Sequence, residues 1–184
     1  MELVRPTIEH LDSYKSALIR ELLAGTAPYP EEARDELEEI ESDPQLFLAK
    51  QEDREALGGD VKLPDGTYVP RLPSISRFMW DGEACGQINF RWRVGTTDLP
   101  PTCLGHIGYE VFSWKRRNGY ASEALRQILP EAVALGMPFV ELTTNLDNHF
   151  SQRVIKKNGG VLYEQFVIPS SQGGGDGLRF RIYL

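Results

Sequence analysis

The segment from Arg116 to Ala121 carries basic, glycine and small residues in an order that suits a phosphorylated ligand. Gly119 lets the backbone approach an anion closely, and Ala121 keeps the first turn of a following helix small. A helix start leaves backbone N–H groups without intrahelical partners at the positive end of the helix dipole. Lys115, Arg116 and Arg117 add positive charge beside them. The segment therefore predicts a diphosphate cradle at a helix N-terminus.

Two other phosphate-binding loops are excluded by their patterns. No GxxxxGK[ST] occurs in the chain, and no GxGxxG follows a strand. An ordinary basic turn before a helix would have the same local composition, because short motifs recur by chance. On these residues alone, both interpretations stay open.

The elements around this segment predict an α/β chain. Apolar residues alternate in the strands and recur every three or four positions in the helices. In chain order the predicted elements are a strand at 3–6, helices beginning after Thr7 and over 31–41, a connection over 51–73 with turns at Pro64 to Gly66, a hairpin over 76–94, a strand over 103–112, a helix from 121, a strand over 139–144, a helix over 148–157 and a C-terminal hairpin of 161–168 with 178–184.

Composition limits the class of protein. With 184 residues, of which 41% are hydrophobic, we expect one core and a single domain over 1–184. A net charge of −7 argues against nucleic acid as a partner. No signal core and no apolar run of about 20 residues is present, so we expect a cytoplasmic protein that does not bind membranes. Cys85 and Cys103 lack metal-ligand spacing, and no metal is predicted.

The pattern Arg116-x-x-Gly119-x-Ala121 fits the R/Q-x-x-G-x-G/A signature of the Gcn5-related N-acetyltransferase (GNAT) superfamily. The chain resembles that superfamily from about Ser76 to Leu184, most closely a bacterial subgroup of predicted acetyltransferases. Two further blocks match in their proper order, Gly108-Tyr109-Glu110-Val111 before the signature and Asn148-x-x-Ser151-x-x-Val154-Ile155-x-Lys157-x-Gly159 after it.

The resemblance implies the GNAT-like α/β fold, with one mixed, twisted central sheet, flanked by helices, that splays between the strand ending at Phe112 and the strand at 139–144. It also implies acetyl-CoA as the acyl donor, bound by a core over 76–184, with residues 1–75 shaping the acceptor site. The pantetheine arm would pair with the backbone near Val111, and the pyrophosphate would rest on backbone amides. The cofactor-binding residues implied are Val111, Phe112, Arg116, Arg117, Asn118, Gly119, Tyr120, Ala121, Ser122, Asn148 and Ser151.

The activity implied is transfer of an acetyl group to a primary amine of a small molecule or peptide. Such a transfer needs a base for the amine and a proton for the leaving thiolate. Glu110 and His106 are the candidate bases, because an unbroken strand turns positions i and i+4 to the same face. A packed histidine, and a glutamate paired with Arg91 or Arg93, are the alternative interpretations.

Many superfamily members carry a tyrosine as general acid at the position that is Ile155 here. Tyr163 is the candidate substitute, with Ser151 and His149 as further hydroxyl or imidazole groups nearby in sequence. The missing tyrosine also supports a second hypothesis, a non-catalytic module that binds or senses acyl-CoA. A structural or interaction domain without a ligand is the third.

The acceptor side has one charge signal. The acidic helix predicted over 31–41 could attract a cationic amine, or it could be a solvated helix face. The C-terminal hairpin alternates in a way that would also suit pairing between subunits, so a homodimer is a further expectation.

Overall fold

The structure, a computed structural model, describes residues 1–63 and 65–184. Five α-helices form in this part of the chain, Ile8–Ala24 (α1), Pro30–Ser42 (α2), Pro44–Lys50 (α3), Tyr120–Ala134 (α4) and His149–Lys157 (α5). The strands are Glu2–Val4 (β1), Glu52–Asp53 (β2), Val61–Lys62 (β3), Tyr68–Val69 (β4), Ser74–Trp80 (β5), Ala84–Arg91 (β6), Ile107–Val111 (β7), Phe139–Asn145 (β8), Val161–Val167 (β9) and Asp176–Tyr183 (β10). Among the described residues, no helix is both long and apolar enough to cross a membrane.

The strands form two main sheets rather than one mixed sheet. The first has the order β1-β5-β6-β7, with β2 also paired to β5, and the second has the order β8-β10-β9. Strands β3 and β4 form a separate hairpin at the turn predicted there, of which Pro64 lies outside the described residues. Every ladder in the described chain is antiparallel, and β7 and β8 share none. The predicted splay between these two strands and the C-terminal hairpin are confirmed.

Helices cover both faces of the first sheet. One core packs α4 and α5 against the strands of both sheets, through buried residues such as Leu125, Ile155 and Phe180. The other packs α1, α2 and α3 against the opposite face, where Tyr14 stacks on Phe78 with ring centroids 4.1 Å apart. Burial of each such side chain stabilises the fold by about 1.5–3 kcal/mol. The two cores therefore hold α1 and α2 on one side of β7, and α4 and α5 on the other.

Two elements differ from the sequence-based expectation. The acidic helix is followed by α3, which the pattern did not predict. Pro44 begins α3, and the Asp43 side chain caps it by accepting the Leu46 N–H at 2.9 Å. The strand predicted from 103 begins only at Ile107, because the N–H of His106, the residue before it, bonds to the Glu141 carbonyl of the second sheet.

His106 joins the two sheets at the narrow end of the splay. Its N–H donates to the Glu141 carbonyl at 2.7 Å, and its ring Nδ1 accepts the Glu141 N–H at 2.9 Å. Gly105 allows the approach, since a Cβ there would lie 3.1 Å from the same carbonyl oxygen. Burial lowers the pKa of His106 to about 4, which keeps Nδ1 free to accept. Beyond this junction β7 and β8 diverge.

We expect His106 to contribute a fall in the free energy of unfolding as the pH drops from 6.5 toward 4. The unfolded chain protonates His106 near pH 6.5 and the folded chain only near 4, so protons favour unfolding in this window. His106→Asn keeps an acceptor near the Nδ1 position without titrating there, and urea unfolding from pH 4 to 7.5 should show a weaker pH dependence than the wild type.

His106→Phe is the matched comparison. It leaves the buried Glu141 N–H unpaired and should lose about 1–3 kcal/mol at pH 7. Identical pH slopes for the wild type and His106→Asn would show that another group is responsible.

Candidate active site

A groove of about 720 Å³ lies between β7, α4 and α5. Its walls come from the open edge of β7, the loop before α4, and the first turns of both helices. The structure brings together here most of the site residues predicted from the sequence, namely Glu110, Val111, Arg116, Arg117, Gly119, Tyr120, Ala121, Ser122, Asn148 and Ser151.

The edge of β7 presents to this groove backbone groups that no neighbouring strand pairs with. The Phe112 N–H donates to the Cys85 carbonyl at 2.9 Å, so the backbone groups of alternate residues face β6. Those of Tyr109 and Val111 therefore point to the open side. The Val111 carbonyl accepts a hydrogen bond from Arg116 Nε at 2.9 Å, which is consistent with its position outside the ladder. An extended ligand could pair with this edge as an added strand would.

The loop before α4 has the backbone geometry of an anion-binding turn. Arg117 has φ +66° and Gly119 has φ +79°, and such left-handed residues before a helix turn successive N–H groups toward one point. Gly119 is the N-cap of α4 and has no side chain to satisfy the first-turn N–H groups. A Cβ on Gly119 would meet nothing within 4 Å, so backbone conformation rather than space favours glycine here.

The start of α5 forms the opposite wall. Asn148 caps the helix, because its Oδ1 accepts the Ser151 N–H at 3.0 Å. The Ser151 hydroxyl lies 2.8 Å from the Tyr109 hydroxyl, which links α5 to β7 across the groove. Asn158 ties the other end of α5 to α4 by donating to the Ser122 carbonyl at 3.1 Å.

Several lining residues were not predicted. Phe150, Arg153 and Lys157 lie on the groove side of α5, where the Arg153 guanidinium is 4.7 Å from the Phe150 ring centroid. Their spacing of three and four residues on a predicted helix was the signal that could have found them. Lys115, expected to add charge to the cradle, is instead paired with Asp81 at 2.9 Å and Glu83 at 2.7 Å.

Four predicted residues do not line the groove. Phe112 is 2% exposed and stacks on Trp114 in the core, and Asn118 turns back to donate to the Lys115 carbonyl. His106 is fully buried at the sheet junction, so the geometry does not bring it to an acceptor. Tyr163 is exposed on β9. His106 is held there by a strand distant in sequence, whereas the bond that turns Asn118 back is local.

Glu110 borders both the groove and a second, smaller cavity of about 30 Å³, which we call the acidic cavity. Glu21, Glu32 and Glu36 also line it. Burial and then the charges of Glu21 and Glu36 raise the pKa of Glu110 to about 7, against the opposing effect of Arg116. No group of three or more His, Cys, Asp or Glu suited to a metal ion occurs in the part of the chain that is described.

The sequence matches the acetyltransferase (GNAT) domain family over residues 1–161. Fold and groove thus define an acetyltransferase-type α/β protein. The chain belongs to the GNAT acetyltransferase family, as the sequence motifs indicated. A search of curated proteins finds no match.

Solved structures share the fold at low sequence identity. The microcin self-immunity acetyltransferase MccE, in complex with acetyl-CoA and AMP, has a TM-score of 0.66 and 12% identity, covering 99% of this chain and 91% of that one. RimL, a ribosomal-protein α-N-acetyltransferase in complex with coenzyme A, has a TM-score of 0.63 and 11% identity, covering 99% and 93%. A putative acetyltransferase from Salmonella typhimurium, yncA, with acetyl-CoA has a TM-score of 0.57 and 13% identity, covering 100% and 93%.

We expect the Glu110 carboxyl carbon to titrate near pH 7 in a ¹³C NMR experiment. Glu21→Gln removes a nearby negative charge and should lower the pKa of Glu110, which burial still holds above the ordinary 4.5. Glu9→Gln, on the exposed side of α1, is the control and should leave the titration unchanged. A wild-type Glu110 that titrates near 4.5 would contradict this description of the site.

Proposed function

We propose that the protein transfers an acetyl group from acetyl-CoA to a primary amine. The observation that carries the proposal is the groove, in which an open strand edge, a helix N-terminus and a carboxyl group of raised pKa meet. Membership of the GNAT acetyltransferase family and the acetyl-CoA complexes of MccE and yncA, which share the fold, support the identity of the donor.

The donor would lie along β7 and α4. Backbone groups of Tyr109 and Val111 pair with the amides of its pantetheine arm, and the N–H groups from Arg117 to Ser122 hold its pyrophosphate. The guanidinium groups of Arg116, Arg117 and Arg153 add charge at the same end of the groove. Asn148 acts in this proposal as the helix cap that positions Ser151.

Glu110 acts as the general base. It lies on β7 where the groove meets the acidic cavity, so an amine entering from the α1–α2 side approaches it. A pKa near 7 leaves a substantial fraction of Glu110 ionised and basic enough to accept the amine proton. The amine nitrogen then forms its bond to the acetyl carbon as the carbon–sulfur bond breaks.

The hydroxyl pair Tyr109–Ser151 stabilises the leaving thiolate. Burial raises the pKa of Tyr109 to about 12, although the hydrogen bond from Ser151 opposes the rise, so the phenol keeps its proton at working pH. The pair donates a hydrogen bond to sulfur, and solvent completes protonation. Ile155 is 1% exposed and packs in the main core, so its side chain does not reach the groove.

We also propose that the chain acts as one domain. Residues 1–75 supply α1 and α2 to the acceptor side, and residues 76–184 supply the donor side. Two contacts between these parts support a single domain. Strand β1 pairs with β5, and α1 shares a core with Phe78 and Phe112.

Gly119→Asp should abolish acetyl-CoA binding, measured by calorimetry, because it places a carboxylate among the N–H groups that hold the pyrophosphate. Gly119→Asn is the matched control, since asparagine has the same size and tolerates a left-handed backbone without the charge. It should retain binding with a modest loss. Equal binding by the wild type and Gly119→Asp would contradict the placement of the donor.

Glu110→Gln should lower kcat/KM for acetyl transfer by about 10²- to 10⁴-fold, the usual contribution of a general base. The wild-type kcat/KM should rise with pH through about 7, and the variant should lose that rise. Tyr109→Phe should lower kcat by about tenfold or more, as loss of a donor to developing charge does, and keep the pH dependence.

The assay follows thiol release from acetyl-CoA with polyamines, amino acids, aminoglycosides and peptides as acceptors. Tight binding of acetyl-CoA without thiol release from any of these acceptors would favour a non-catalytic acyl-CoA-binding module instead.

A further inference from the structure

The acidic cavity holds more negative charge than a single general base requires. Four carboxylates line it, from Glu21, Glu32, Glu36 and Glu110, and no Lys, Arg or His side chain does. Within residues 1–63 and 65–184, none of the four forms a salt bridge, although many surface carboxylates do. Like charges brought together in a partly buried site are unfavourable unless a cation joins them.

Glu21 carries an unused acceptor. The residue is 1% exposed, and its Oε1 accepts the Ser113 N–H, but its Oε2 has no hydrogen-bond partner in the described chain. Although burial opposes it, the hydrogen bonds from Ser113 hold the pKa of Glu21 below its usual value, so the group is ionised. A buried carboxylate oxygen without a donor costs free energy that a bound ammonium group, with three N–H donors, would offset.

Size and lining fit an alkyl ammonium group. A volume of about 30 Å³ is that of one water-sized group, which matches an ammonium head. Tyr29 and Gln87 also line the cavity, and apolar side chains that suit a methylene chain form the rest of its wall; they are Leu18, Ala27, Pro28, Ala33 and Phe112. Glu36 is held in place because its Oε2 accepts the Tyr14 hydroxyl at 2.7 Å. Glu110 connects this cavity to the groove.

We propose that the acceptor is a linear aliphatic diamine or polyamine. Its non-reacting ammonium group binds Glu21 and Glu36 in the acidic cavity, and its other amine lies at Glu110, where it loses a proton before acetylation. This inference rests on the proposed function, since it names the substrate class of the same site. Cation binding favours ionised carboxylates, so diamine affinity should rise with pH through the titration of Glu110.

The test compares acceptors that differ by one charge. We expect kcat/KM for 1,4-diaminobutane to exceed that for butylamine and for 4-amino-1-butanol by at least about tenfold, the effect of a charge-assisted hydrogen bond. The diamine has two equivalent amines, which alone would raise its kcat/KM by a factor of about two. The expected margin is well above that factor. Calorimetry of diamine binding in two buffers of different ionisation enthalpy should show proton release near pH 7.

Matched variants assign the effect to the cavity. Glu36→Gln and Glu21→Gln keep the hydrogen bonds from Tyr14 and Ser113 but remove a charge, and each should lower the diamine-to-monoamine ratio of kcat/KM severalfold. Glu38→Gln, on the exposed face of α2, removes the same charge and should leave the ratio unchanged.

Three results would overturn the inference. Equal kcat/KM for diamine and monoamine would do so while leaving acetyl transfer intact. A ratio that Glu38→Gln lowers as much as Glu36→Gln would assign the effect to general surface charge. Strong preference for a peptide with lysine or arginine beside its N-terminal amine would assign the cavity to a peptide. Failure of the proposed function is distinct, because no amine would then release thiol from acetyl-CoA.

Discussion

The separation of β7 from β8 is the constraint on which the site depends. If the two strands paired along their length, the backbone groups of Tyr109 and Val111 would be hydrogen-bonded to β8, and no groove would exist. The His106–Glu141 junction closes the sheets at one end with two hydrogen bonds. Because the histidine ring supplies an acceptor where a strand would supply a carbonyl, pairing stops there and the edge beyond it stays open.

Charge is divided across β7. On the side of α4 and α5, Arg116, Arg117 and Arg153 border the groove. On the side of α1 and α2, carboxylates border the acidic cavity. Glu110 lies between them, and its pKa reflects both, since burial and the carboxylates raise it while Arg116 lowers it. In the proposed function, an anionic donor and a cationic acceptor approach β7 from these two sides, with Glu110 between them.

The helix N-termini were predictable because the interactions that form them involve residues close together in sequence. Gly119 at a helix start and Asn148 at the next helix N-terminus act through backbone groups within a few residues, and the structure has both. The group that would replace the missing general-acid tyrosine at position 155 has no such local signal. Tyr109 and Ser151 are 42 residues apart and meet only because α5 packs over the open edge of β7. Likewise, His106 was expected on the same face as Glu110. Its ring instead accepts the Glu141 N–H of β8, and the sequence did not indicate that β8 would lie beside it.

By itself the sequence determined the order of the elements other than α3 and the helix N-terminus that begins after Gly119, and its ordered motifs indicated the family, whose resemblance implied the splay between the strands that end at 112 and begin at 139. Those features follow from periodicity, glycine placement and ordered motifs, which are read along the chain. Only the tertiary structure decided which side chains share a cavity. Glu21, Glu36 and Glu110 come from three separate elements, and their proximity depends on how α1 and α2 pack on the sheet. Packing angles and side-chain facing are set by the whole core, so no local pattern encodes them.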